Sequence, residues 1–519
     1  MFFTVLPHGT RLPDDRLDEV VLATDNWDDW FTFSTMYVVF YFDKEGDRHR
    51  VGEVKIGQFN MAKDQRRPAI PNEFDTLSEQ FFSLGQDDRY YEALTERGPE
   101  IRQRILTGLR DTALDVDLFE RALGEKVTGV SLLRSVSRSS VRGQFRRLAN
   151  GGARLTNYAF SYTPPKHRKS KSRPPVFEFR VEPESNPPTN IHVLIGRNGV
   201  GKTYHFNLMA RALVDPESEP AEVGEFADLS ETESESTASA ILSFENVVSV
   251  TFSAFDPFEP LPVSRDRSEG VHYQYIGLKR STQNSDGTPR APKTPGSLGR
   301  EFGASVRLVR SHNDKLDRWR KALAVLEADP IFKAAEIADL ANEEGDDAIR
   351  KQASKVFENL SSGHKIVLLT ITRLVETVEE QTLVLLDEPE AHLHPPLLSA
   401  FVRALSNLLT NRNGVAIIAT HSPVVLQEVP SECVWKMRRS GREVVIERPD
   451  LQTFGENVGV LTREVFGLEV TDSGFHQLLA RATKENDVYD DVVESFGGQL
   501  GTEARAIVRG LMAAEQDDD

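Results

Sequence analysis

Hydrophobic and polar positions change period several times along this 519-residue chain. Residues 31–58, "FTFSTMYVVFYFDKEGDRHRVGEVKIGQ", predict two strands joined by a polar turn around Gly46. From Glu73 to Leu123 the pattern turns helical; Ile101, Ile105 and Leu109 recur at four-residue spacing. Two short apolar runs follow, "VFEFRV" and "IHVLIG". Far downstream, Thr382–Leu386 is an unbroken apolar strand of the kind found in the middle of a parallel sheet. A helix over Pro396–Leu409 then leads to another buried strand in "GVAIIATHSP". Strands alternating with helices predict an α/β fold with a parallel sheet.

The longest apolar runs, such as "TMYVVFYF", fall short of the roughly 18 residues that span a bilayer. The N-terminus has neither a basic lead nor a sustained apolar stretch, so no signal peptide is expected. A single cysteine, Cys433, excludes an internal disulfide framework and fits a reducing cytosol. The expectation is a cytoplasmic globular protein without membrane contact.

The net charge of −18 is unevenly spread. From Lys126 to Arg173 there are twelve Lys or Arg and no acid, whereas Asp215–Glu235 holds nine acids and no base. The second composition cannot bury a core and predicts a disordered acidic insertion over 214–240. The expected order is a mixed α+β N-terminal region (1–150), a basic linker (151–175), a nucleotide-binding domain (176–456) and a helical C-terminal segment with an acidic tail (457–519). Within the domain, "KLDRWRKALAVLEAD" belongs to an expected helical subdomain over 300–360.

The strand "IHVLIG" runs directly into "GRNGVGKT", Gly196–Thr203, which fits GxxxxGK[ST]. Gly196, Asn198, Gly199 and Gly201 would let backbone N–H groups close around phosphates, Lys202 would reach the β- and γ-phosphates, and Thr203 would bind Mg²⁺. The bland alternative is a glycine-rich turn. Asp387 and Glu388, at the end of the Thr382–Leu386 strand, would hold Mg²⁺ and orient the attacking water, respectively. Otherwise they are solvated acids at a strand end. His421 lies at the C-terminal end of the next strand, where parallel sheets bind ligands. It is a catalytic or sensing candidate, although many such histidines are structural. ATP and Mg²⁺ are the implied substrate and cofactor.

These residues resemble the ABC-type ATPases. "GRNGVGKT", "LSSGHK" (Leu360–Lys365), "LLDEP" and "THSP" follow that family's order of phosphate loop, signature, Walker B and switch histidine. The resemblance implies a P-loop ABC-type fold in which the signature of one subunit closes over nucleotide held by another. Ser361 and Gly363 stand at matching signature positions; Ser362 and His364 replace the usual glycine and glutamine. Taken alone, the stretch would be a serine helix cap. "DEPEAHLHP" resembles the soluble overcoming-lysogenization-defect, RecF-like and SMC-like branch, including antiphage defence ATPases of the Septu type. Gln274 is a candidate for the glutamine loop, or simply an edge-strand residue.

No sustained heptads support a long coiled-coil arm, and no separate metal-nuclease, zinc or thiol constellation is evident. Arg134, Arg138, Arg142 and Arg146 recur every four residues; on a helix they would form one positive stripe, extended by Lys169 and Lys171. Such a surface suits nucleic-acid phosphates, or else pairs with the chain's own acids. The resemblance implies an ATP-dependent homodimer or higher oligomer that controls a separate effector, such as a nuclease, in prokaryotic defence. Alternatives are a DNA repair or replication ATPase, and an ATP-dependent scaffold holding an inhibited toxin.

Overall fold

The computed structural model describes residues 2–517, except 14–15, 26–31, 63, 153–154, 167–172, 216, 230–243, 254–257, 263–270, 281–289, 344, 441–442, 468–473 and 487. None of the helices among the described residues is long and apolar enough to cross a membrane.

The N-terminal region carries a six-stranded sheet in the order β5-β1-β2-β3-β4-β6: β1 (Phe2–Leu6), β2 (Glu19–Thr24), β3 (Met36–Phe42), β4 (Arg48–Gln58), β5 (Glu73–Phe74) and β6 (Phe81–Gly85). β3 and β4 pair antiparallel across the turn at Gly46. β3 buries alternate residues, so Tyr37, Val39 and Tyr41 face a core with Val54, Ile56, Phe82 and Leu84. Helices Asp88–Glu96, Pro99–Gly108 and Val116–Ala122 cover it. The expectation of helix from Glu73 onward is corrected here. "FFSLG" pairs with β4 and is buried throughout, a continuous apolar run too short for helical periodicity to register.

The expected linker is also corrected. Residues 158–163 form β7 (Tyr158–Thr163), the central strand of an antiparallel sheet with β8 (Phe177–Val181) and β10 (Glu225–Asp228). Phe160 and Tyr162 pack with Phe177, Phe179 and Leu194 in one core. The acidic insertion loses its middle to this sheet. β10 lies along β7 because Phe226 seats its ring 5.0 Å from Tyr162, while Glu225 points to solvent. Residues 230–243 of that insertion lie outside the described residues.

The larger sheet has the order β12-β11-β13-β14-β9-β15-β16, with β9 (Ile191–Gly196), β11 (Asn246–Thr251), β12 (His272–Gly277), β13 (Thr382–Asp387), β14 (Val415–Thr420), β15 (Val434–Ser440) and β16 (Glu443–Glu447). All pairings are parallel except β15–β16. β9, β13 and β14 are wholly buried, as continuous apolar strands between two covered faces must be. One face meets the small sheet and helix Lys202–Val214. The other meets helices Pro295–Arg310, Asn313–Leu326, Ser362–Thr377 and Pro395–Thr410, where Trp319 is fully buried and donates Nε1–H to Thr372.

Ion pairs, buried at Arg412 and Glu380 and exposed at Arg89, join the N-terminal region to this domain. Arg412 contacts Asp88 (3.3 Å) and Asp314 (2.6 Å), Arg89 contacts Asp317 (2.8 Å), and Arg147 contacts Glu380 (2.7 Å).

The expected arginine stripe does not form. Arg134 lies in a bend before the helical segment, and Val141–Phe145 is a π-helical turn, which breaks the four-residue register. Arg142 donates to Glu120 at 2.7 Å, Arg138 is half-buried and Arg146 is exposed. Lys169 and Lys171 lie outside the described residues.

Candidate nucleotide site

β9 delivers the chain to Gly196 at the C-terminal edge of the sheet. A Cβ at Gly196 would stand 2.3 Å from the Met437 carbonyl oxygen of β15, so only glycine permits this approach. Gly199 (φ 83°) and Gly201 (φ 104°) take left-handed conformations that coil the loop back toward helix Lys202–Val214. Asn198 and Gly199 are exposed on the loop's outer side.

Lys202 is almost fully buried, and its Nζ donates to the carbonyls of Gly196 (2.9 Å) and Arg197 (3.2 Å). Burial pulls its pKa below the ordinary lysine value, while Glu388, Asp387 and Glu390 act in the opposite direction. The ammonium therefore sits under the loop with its charge facing three carboxylates. Thr203 donates its hydroxyl to Asp387 Oδ2 at 2.7 Å, tying the start of the helix to the end of β13. A hydroxyl and a carboxylate side by side at a P-loop are oxygen donors suited to Mg²⁺.

Glu388 occupies a left-handed conformation at φ 45°, strained for a residue with a Cβ, and its N–H donates to Ala419 O at 2.8 Å. The strain turns the chain out of the strand and leaves its carboxylate partly exposed beside His421. His421 Nδ1 lies 3.7 Å from Glu388 Oε1 and 3.2 Å from Glu390 Oε1. Glu390 also accepts the Thr420 hydroxyl (2.6 Å) and the His421 backbone N–H (2.7 Å). This largely buried carboxylate fixes the histidine in place.

Glu390 was not legible as part of the site: in "DEPE" it reads as one more acid after a strand. Tyr204 and Arg439 also lie beside the loop. They line a cleft of about 720 Å³ beside Val200 and Gly201, and Arg439 donates to Gly199 O at 3.2 Å. Gln274 sits within edge strand β12, opposite Val248.

The structure thus brings Lys202, Thr203, Asp387, Glu388 and His421 to one sheet edge. Ser361 and Gly363 are placed elsewhere. Ser361 caps helix Ser362–Thr377, with its hydroxyl 2.6 Å from His364 Nδ1. Gly363 packs so closely on the segment after β13 that a Cβ would stand 2.4 Å from His392 O. Ser361 and Ser362 remain exposed.

Residues 277–427, which include β13, β14 and "LSSGHK", match the family described as "AAA domain, putative AbiEii toxin, Type IV TA system". Protein ea59 of Escherichia phage lambda is 40% identical over 532 residues, covering 98% of this chain and 98% of its own. The chain belongs to the ea59 family. In this ea59-family member the stretch similar to the AAA domain begins at the end of β12 and runs past β14. Two solved structures are also similar. An ABC transporter in an inward-facing conformation is 14% identical, with a TM-score of 0.30, over 60% of this chain and 89% of its own. The ATP-binding cassette of an ABC transporter in its ADP conformation is 11% identical, with a TM-score of 0.31, over 61% and 98%.

Proposed function

We propose that the protein hydrolyses ATP between two copies of itself and uses the cycle to gate a separate effector. The observation that supports this reading is the constellation at the sheet edge: Lys202 under a coiled phosphate loop, Thr203 against Asp387, and Glu388 beside a histidine anchored by Glu390. The loop N–H groups and Lys202 hold the phosphates. Thr203 and Asp387 would hold Mg²⁺, which would supply positive charge against the phosphates. Glu388 orients a water for in-line attack on the γ-phosphorus; the bond to the ADP oxygen breaks as the water's oxygen bonds. His421, fixed by Glu390, lies within reach of the same carboxylate and the departing phosphate.

Dimerisation is part of the proposal because Ser361 caps, and Ser362 opens, an exposed helix start while their own chain's P-loop lies elsewhere. The effector is proposed as a toxin or nuclease in conflict between phages or between phage and host. Two findings about relatives support it: the ea59 relative belongs to phage lambda, and the matching family's description names a toxin. A scaffold that restrains a toxin without touching nucleic acid is the second reading, favoured by the capture of Arg142 and Arg147 by Glu120 and Glu380.

The deciding experiment is Glu388→Gln. It keeps shape and phosphate binding but loses the carboxylate, so turnover should fall at least about a hundredfold while nucleotide stays bound. Wild-type turnover in that variant would remove Glu388 from the chemistry. Salt-sensitive binding to duplex DNA by the intact protein would reject the scaffold reading.

A further inference from the structure

Asp329, His364 and His394 come from three separate segments yet converge. Asp329 precedes helix Pro330–Ala334, His364 lies in the first turn of helix Ser362–Thr377, and His394 directly precedes helix Pro395–Thr410. One ligating atom from each lies within 4.8 Å of the other two. His364 Nε2 is 3.1 Å from Asp329 Oδ1, and His394 Nε2 is 3.4 Å from Asp329 Oδ2. We propose that these three side chains form a site for a divalent transition-metal ion, distinct from the Mg²⁺ site at the P-loop.

The spacing fits. Donors bound at about 2.0–2.1 Å in a tetrahedral site lie about 3.3 Å from one another. The donor set of two imidazoles and one carboxylate suits Zn²⁺ and its neighbours, whereas Mg²⁺ prefers oxygen alone. Three protein ligands leave a fourth position for water. The His394 side chain is 52% exposed and the other two are almost buried, so the ion has an open side facing solvent.

The groups behind the ligands also fit. Ser361 Oγ, 2.6 Å from His364 Nδ1, can accept that ring's proton and turn the Nε2 lone pair toward the ion. Asp329 Oδ1 accepts the N–H groups of Ile331 (2.8 Å) and Phe332 (3.3 Å), which fix the carboxylate against the two imidazoles. His394 Nδ1 accepts the Leu397 N–H at 3.3 Å. Ligation through Nε2 moves the ring proton to Nδ1 and gives up this one long cap. The bound ion would clamp the helical subdomain, the signature helix and the segment after β13 at a single point.

The test uses the intact protein, stripped with chelator and titrated with Zn²⁺ in excess Mg²⁺ without nucleotide. Elemental analysis after desalting should find one Zn²⁺ per chain, and Co²⁺ should give the intense visible bands of a tetrahedral site. His394→Asn keeps a capping acceptor on an exposed position, so it should fold, and it should weaken Zn²⁺ binding at least about tenfold. Asp329→Asn should do the same, and Asp387→Ala should leave Zn²⁺ binding intact. Equal Zn²⁺ retention by wild type and His394→Asn overturns the site and leaves a hydrogen-bonded cluster. Loss of Zn²⁺ in Asp387→Ala overturns it by moving the ion to the P-loop.

Discussion

Replacing Arg412 by Met tests the union between the N-terminal region and the parallel-sheet domain. The Arg412 guanidinium is 7% exposed, 2.6 Å from Asp314 and 3.3 Å from Asp88, whose side chain is fully buried. Methionine keeps length and apolar volume but takes this partner from Asp88 and leaves Asp314 to Arg318 and Arg89. Breaking a buried pair from one side costs about 3–5 kcal/mol. Arg318 remains 3.1 Å from Asp314, so the loss belongs near the lower end, about 3 kcal/mol. Burial alone would raise the Asp314 pKa, but Arg412, then Arg318 and Arg89, hold it well below the ordinary 3.8. A depressed carboxylate contributes stability above its unfolded value and loses it as pH falls toward the folded one. The gap between wild type and Arg412→Met, read from urea unfolding, should therefore be full at neutral pH and narrow below about pH 3.8. A gap under about 1 kcal/mol at neutral pH would refute the assignment of this network as a buried tie.

Burial raises the Asp111 carboxyl to about 7, so its folded form keeps a proton that the unfolded chain releases near 3.8. Wild-type stability should therefore fall as pH rises between those values, and Asp111→Asn should flatten that slope in pH-dependent unfolding. Ser362→Arg places bulk and charge on the exposed signature face without touching the chain's own P-loop. It should preserve ATP binding, lose turnover and regain part of it when mixed with Lys202→Ala chains; a mixture that stays inactive despite demonstrated subunit exchange argues against a shared site. Gly363 cannot serve for that test, because any side chain there strikes the His392 carbonyl of its own chain. Phe226→Ser removes the ring that seats β10, so amides of 225–228 should exchange faster with deuterium while those of β7 and β8 stay protected.

The P-loop and the β13 terminus were legible because their chemistry is local. A loop that closes on phosphates needs its glycines and lysine at fixed offsets, and the adjoining strands must be apolar throughout. Glu390 was not, since its role depends on meeting Thr420 and His421 of a different strand. β10 was hidden by composition: nine acids outweigh one Phe226 in any window average, yet that ring holds an edge strand whose alternate positions, Glu225 and Ala227, face water. The arginine stripe failed for the opposite reason. Spacing was read as if the helix were regular and its cations unpaired, whereas a π-helical turn shifts the register and Glu120 takes Arg142. Arg412 carried no local signal at all; only packing sets it between Asp88 and Asp314.

Helix Pro395–Thr410 begins at His394, a few residues past Glu388, and ends beside Arg412. Sixteen residues make a rod of about 24 Å. It packs against helix Asn313–Leu326, which carries Asp314 and Arg318. One helix thus runs from the segment after β13 to the arginine that pairs with Asp88 of the N-terminal region.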